Sequence, residues 1–258
     1  MKKSFWKTGM QTRVILAAGL LLCAMQVRAE AFSVPERLEF EISYTGVVAG
    51  RAVQEVIREG NEIHINSTAK SEKWLKFFFP VDDHIESILT AGPSQPLTGM
   101  PRFYRMRINE GRSHFNRDAV FDRRALEVRT RDYVDNSDRI LSITEQTYDT
   151  LSSFFYLRSL PLHMGTSYSI DIFDCKKLMK TEVQILRREV VETPVGRFKT
   201  VVIKPLLKSE GLFTRTGDMF IWLTDDERHI PVLMKSKVKI GSITATLVGG
   251  SYWPSGKK

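Results

Sequence analysis

The sequence predicts an all-β, mainly antiparallel fold: a curled meander sheet forming a barrel, half-barrel or sandwich, with two short helices. Three observations carry this expectation. Short apolar–polar alternating runs recur along the chain, and turn residues punctuate them. Helical patterning is confined to two brief segments. A meander of ten to thirteen strands also rarely stays flat, because a twisted sheet of that size curls or folds on itself.

Leu38-Glu39-Phe40-Glu41-Ile42-Ser43-Tyr44 alternates without a break, as a strand with one wet face does. Gly46 and Gly50 bracket Val47-Val48-Ala49 as a reversal, and Ala52–Ile57 returns. Gly60-Asn61 is a two-residue turn signal before Ile63 and Ile65. Ser71 can cap a short helix that presents Trp74, Leu75 and Phe78 and ends at Pro80. Strands follow over 84–89, 102–108, 113–122 and 126–131, with Gly92-Pro93 and Pro96 marking a loop. A second helix is expected over 149–160, capped by Asp149 or Thr150 and stopped by Pro161, with Leu151, Phe154, Phe155 and Leu157 as its apolar stripe. The meander resumes over 168–173, 178–191, 199–207, 217–223, 231–240 and 243–247. Pro194-Val195-Gly196 marks one turn, and Ile240-Gly241-Ser242-Ile243 has the form of a type II′ hairpin.

The first 29 residues predict an export signal. Lys2, Lys3, Lys7 and Arg13 precede the apolar run Val14–Met25, and Val27-Arg28-Ala29 offers a small-x-small cleavage site. Leu22 stands before Cys23 where lipid attachment needs a small residue, so a lipoprotein is disfavoured. The expected product is one β-rich domain over 30–258 in the periplasm, free or resting on a membrane surface. Residues 1–29 hold five of the 38 basic residues and no acid, so cleavage leaves 33 bases against 30 acids. An excess of three gives no case for nucleic acid. No later apolar run is long enough for a membrane-spanning helix. Cys175 would be the remaining cysteine, which rules out an internal disulfide.

Several segments, in this order, carry a family likeness. They are Glu36-Arg37-Leu38-Glu39-Phe40 with Gly46 and Ala49-Gly50, then Asp149–Arg158, then Thr193-Pro194-Val195-Gly196. Trp222-Leu223-Thr224-Asp225-Asp226, Ile230-Pro231-Val232 and Ile240-Gly241-Ser242 complete them. The chain resembles a family of secreted bacterial proteins named only as domain of unknown function 3108. The resemblance implies one all-β envelope domain and supplies no activity.

Candidate chemistry is sparse. Asp225, Asp226 and His229 lie within five residues and could share a proton or hold a metal, although a polar hairpin loop, where Asp caps turns through the backbone, explains them better. Asp82-Asp83-His84 reads as a strand-entry turn. Cys175 has lysines beside it, which would lower a thiol pKa, but no nucleophile motif surrounds it. No H-x-x-x-H, G-x-S-x-G or phosphate-binding glycine loop occurs, so no cofactor is expected. Two aromatic clusters remain, Trp74 with Phe77, Phe78 and Phe79, and Phe154 with Phe155 and Tyr156. They are the candidates for an apolar pocket or docking surface. The expected function is a non-catalytic envelope protein that binds a lipid, another apolar ligand or a polymer in its curled sheet. An assembly partner of another envelope protein and a metal-assisted hydrolase are the alternatives.

Overall fold

The structure is a computed structural model that describes residues 34–91, 99–206, 218–238 and 240–253. The export signal, Cys23 and the Gly92–Pro96 loop lie outside the described residues.

The first half of the chain is a meander: β1 (Glu36–Tyr44), β2 (Val47–Glu59), β3 (Glu62–Ser71), β4 (Asp82–Thr90), β5 (Met100–Glu110), β6 (Ser113–Asp122), β7 (Glu127–Asp132) and β8 (Ser137–Ser142). The short β9 (Thr147–Asp149) and helix α1 (Thr150–Arg158) follow. A second meander is formed by β10 (Ser167–Phe173), β11 (Leu178–Thr193), β12 (Gly196–Leu206), β13 (Met219–Thr224), β14 (Pro231–Lys237) and β15 (Ser242–Gly250). All belong to one open, curled sheet in the order β8-β7-β6-β5-β4-β3-β2-β1-β15-β14-β13-β12-β11-β10-β9. The first and last strands therefore pair at its centre, and each meander grows outward to an edge. Neighbours are antiparallel except β9 and β10, which are parallel because α1 carries the chain across between them.

Connectivity forces the curl. Four residues, 143–146, carry the chain from β8 at one edge to β9 at the other. Five residue steps reach at most about 18 Å. A flat sheet of this size would hold its edges roughly 65 Å apart. A hydrogen bond fixes the approach: Arg123, just past β6, donates from Nη2 to the Thr147 carbonyl of β9 at 2.8 Å.

Three apolar clusters form the core. The first joins β2 to β7 with α1 through Val56, Ile63, Ile65, Tyr104, Phe121 and Phe155. The second joins α1 with β10 to β13 through Leu157, Ile172, Ile185, Val201 and Leu223. The third lies under the central strands, around Leu38, Phe40, Val202, Val232 and Leu247. Helix α1 plugs this interior, so Leu151, Ser152, Ser153, Phe155, Leu157 and Arg158 are all buried rather than a single stripe.

Local chemistry changes four expectations. The expected helix after Ser71 is a single 3₁₀ turn, Leu75–Phe77, because Ser71 stays in β3 and bonds Val81. The first reversal is Thr45-Gly46, both at positive φ as a two-residue hairpin requires, and Val47–Ala49 already belong to β2. Gly50 is a strand residue whose missing Cβ lets the Lys70 carbonyl approach; a Cβ would lie 2.5 Å from that oxygen. The last hairpin pairs Lys237 with Ser242, so its loop spans four residues, 238–241, rather than two. Strands β8 and β9 carry too little apolar alternation to stand out in the sequence.

Candidate functional site

The loop from Ser71 to Pro80 forms an aromatic tip at one end of the sheet. Its ends are pinned: Ser71 N–H donates to the Val81 carbonyl, and Val81 N–H to Ser71 Oγ, each at 3.0 Å. The loop is tied to the start of β2, since Glu72 N–H donates to the Ala49 carbonyl at 2.8 Å and Trp74 Nε1–H to the Val48 carbonyl at 3.1 Å. Between these anchors Phe77 is 89 % exposed and Phe78 82 % exposed. Trp74 and Phe79 are also exposed, and the Phe79 ring lies over Gly111, where a Cβ would come within 2.7 Å of it. Tyr44, Val47, Val48 and Ile240 of the neighbouring hairpins are exposed too, with Tyr44 OH donating to the Ile240 carbonyl at 2.7 Å. An apolar group so placed is unusual on a surface that meets only water.

An acidic pair lies at the root of the tip. Val81 and Glu110 form a backbone bridge, and Gly111 N–H donates to the Pro80 carbonyl at 2.8 Å. Buried Asp83 accepts from Asn109 N–H at 2.9 Å, and its side chain bonds that of Glu110. Burial, then the charge of Asp83, pushes the Glu110 carboxyl up to about 7; burial raises Asp83 too.

The second aromatic cluster sits inside the sheet. Phe155 is fully buried in the first apolar cluster, and Phe154 meets it edge-on at 6.1 Å. Tyr156 stacks on Tyr148 at 4.5 Å. These rings face other side chains of the chain, whereas those at 74 and 77–79 face outward.

The polar groups of the loop after β13 are engaged in holding it. Asp225 accepts from Arg188 Nε at 2.8 Å. Asp226 accepts from Thr224 Oγ1 at 2.6 Å and from Arg228 Nη2 at 2.8 Å. His229 Nδ1 lies 2.7 Å from the Arg158 carbonyl, and burial holds its imidazole below the ordinary range. Among the described residues, no group of three or more His, Cys, Asp and Glu side chains is placed to hold a metal ion. An open pocket of about 210 Å³ beside this loop is lined by Phe198, Lys199, Asp225, Arg228 and Trp253. That is smaller than a usual organic-ligand site. Cys175 is buried, and burial pushes its thiol well up, contrary to the activation its flanking lysines suggest.

Two buried polar links escape sequence reasoning because their partners are far apart in the chain. Arg158 Nη1 and Nη2 grip Glu36 Oε2 and Oε1 at 2.7 and 2.8 Å, and Tyr252 OH donates to the same carboxylate at 3.0 Å. Asp149 accepts from Ser87 Oγ at 2.6 Å while capping α1 through Leu151 and Ser152 N–H. Burial raises the Asp149 carboxyl, and these donors oppose the rise.

The family model described as "Protein of unknown function (DUF3108)" matches residues 39–248. No curated protein matches the chain. Among solved structures, a β-barrel-like protein of domain of unknown function DUF1849 from Brucella abortus is similar at 12 % identity with a TM-score of 0.55, over 85 % of this chain and 98 % of that one. That likeness shows a β-barrel-like fold. The hypothetical protein CT021 from Chlamydia trachomatis is similar at 6 % identity with a TM-score of 0.37, over 87 % of this chain and 92 % of that one. No helix among the described residues is long and apolar enough to cross a membrane.

Proposed function

The chain belongs to the DUF3108 family of proteins of unknown function, and we propose that it is a non-catalytic binding protein of the cell envelope. In this reading residues 1–29 are an export signal cleaved after Ala29, and 30–258 act as one domain in the periplasm. The aromatic tip is its docking surface. The observation that carries the proposal is the exposure of Phe77 and Phe78 on a loop pinned at both ends. A pinned loop could bury those rings against its own sheet, yet it presents them outward. The interior of the sheet is occupied by its own side chains, so a binding surface on the outside is favoured over a ligand held within.

The test is a Phe77→Ser/Phe78→Ser variant expressed in an exporting host. Its circular dichroism should match the parent. The parent should fractionate with membranes or in a large complex, and the variant should be recovered as free protein. Identical fractionation of the two folded proteins would overturn the reading.

A further inference from the structure

We propose that the partner of the aromatic tip is a membrane surface bearing anionic headgroups, an inference that rests on the docking reading above. Three features separate a lipid interface from a protein partner.

The first is the composition of the tip. Lys73-Trp74-Leu75-Lys76-Phe77-Phe78-Phe79 interleaves lysines with rings, and both lysines are exposed. The centres of protein interfaces collect aromatic residues but are depleted in lysine. Segments that lie in the headgroup region combine apolar rings with lysines that meet lipid phosphates.

Charge balance is the second. Two of the acids beside the tip are matched, Glu72 3.7 Å from Arg51 and Asp82 3.4 Å from Lys70, while Asp83 and Glu110 at its root bond each other. Lys73 and Lys76 add positive charge that neither ion pair uses. The surface that meets a partner is thus apolar with a basic fringe, complementary to an anionic one.

The third is the backbone. An exposed loop normally depends on water for its N–H groups, and entering an apolar layer would strip that water away. Here Leu75 and Lys76 N–H donate to the Glu72 carbonyl at 3.0 and 3.2 Å, and Phe78 and Phe79 N–H to the Leu75 carbonyl at 2.9 and 2.7 Å. Pro80 has no N–H, and the Trp74 indole N–H already bonds the Val48 carbonyl. The 3₁₀ turn therefore presents its rings with these donors satisfied within the chain. Val48, whose carbonyl accepts from the Trp74 indole, is also exposed.

The experiment is flotation of the purified exported protein with two kinds of vesicle, phosphatidylcholine alone and phosphatidylcholine mixed with phosphatidylglycerol. The protein should float with the mixed vesicles and much less with the neutral ones, and added salt should weaken binding. Phe77→Ser/Phe78→Ser should reduce binding about tenfold or more. Lys73→Gln/Lys76→Gln should weaken it on the mixed vesicles while leaving the fold intact. Brominated lipid should quench tryptophan emission in the parent and lose that effect in Trp74→Phe. Absence of binding to both vesicles, or equal binding to both with no effect of the lysine changes, would overturn the inference. If the serine variant still lost its envelope fraction in that case, the docking reading would stand with a protein as partner. If neither vesicles nor fractionation responded to it, both would fall together.

Discussion

Arg158, the last residue of α1, and Glu36, the first of β1, form a two-pronged ion pair with both side chains essentially out of water. The pair joins the helix inside the sheet to the central strand. Arg158 also donates to the carbonyls of His229 at 3.1 Å and Arg228 at 3.3 Å, and its guanidinium lies 5.1 Å from the centre of the Phe155 ring. One side chain thereby fastens the helix, the N-terminal strand and the loop after β13.

A buried pair is more expensive to break than to replace. Arg158→Met leaves the Glu36 carboxylate buried with Tyr252 as a donor, and should cost about 3–5 kcal/mol in urea unfolding. Changing both, Arg158→Met with Glu36→Leu, should recover much of that loss. A double variant no more stable than the single one would show that the pair acts independently of its charges.

The cap of α1 is a second such joint. Asp149→Ala removes two backbone caps and orphans the buried Ser87 hydroxyl, so a loss of about 2–4 kcal/mol is expected. Adding Ser87→Ala to that variant should cost little more. Equal, additive losses in a double-mutant cycle would argue against the link.

The acidic pair at the root of the tip makes stability depend on pH. The Glu110 carboxyl titrates near 7 in the folded chain, against about 4.3 when unfolded. Between those values the folded chain holds a proton that the unfolded chain has released. Stability is therefore fullest below about pH 4 on this group's account, and falls as pH rises towards 7. Glu110→Gln should flatten that fall and stabilise the protein at pH 8 by on the order of 1 kcal/mol, a value reduced for the partial exposure of the site. An unchanged pH profile in denaturant titrations would show that the two carboxyls do not share a proton.

The tip itself should be dispensable for folding. Phe77→Ser and Phe78→Ser remove groups that pack on little, so each should shift stability by no more than about 0.5 kcal/mol. A larger loss, measured by thermal unfolding, would place these rings in the core.

What the sequence made legible follows from how local each signal is. Alternation within Leu38–Tyr44 and the turn residues at Gly60-Asn61 and Pro194–Gly196 act over a few residues, and the strands stand where they indicate. The Asp149 cap is local too, and it opens the helix as expected. β8 was hidden because Ser137–Ser142 lies at an edge with little of it buried. The order of the strands, and so the curl, depends on the pairing of Glu36–Tyr44 with Ser242–Gly250 across the whole chain. For the site, an aromatic-rich stretch near Pro80 was visible, but exposure was not. Phe155 and Phe77 look alike in sequence; one is sealed between α1 and the sheet and the other stands in solvent. Arg158 reads as an ordinary helix-end cation until Glu36 is placed against it.

In the proposed function the Trp74–Phe79 tip is where the protein meets its partner. Its most direct test is photo-crosslinking in exporting cells from benzoylphenylalanine at position 77, compared with the same probe at exposed position 135 in the turn between β7 and β8. Abundant adducts are expected from position 77, to lipid where the tip meets a membrane, and few from position 135. Equal, sparse labelling from both positions would contradict that function, and would leave the exposed rings as a surface without a partner.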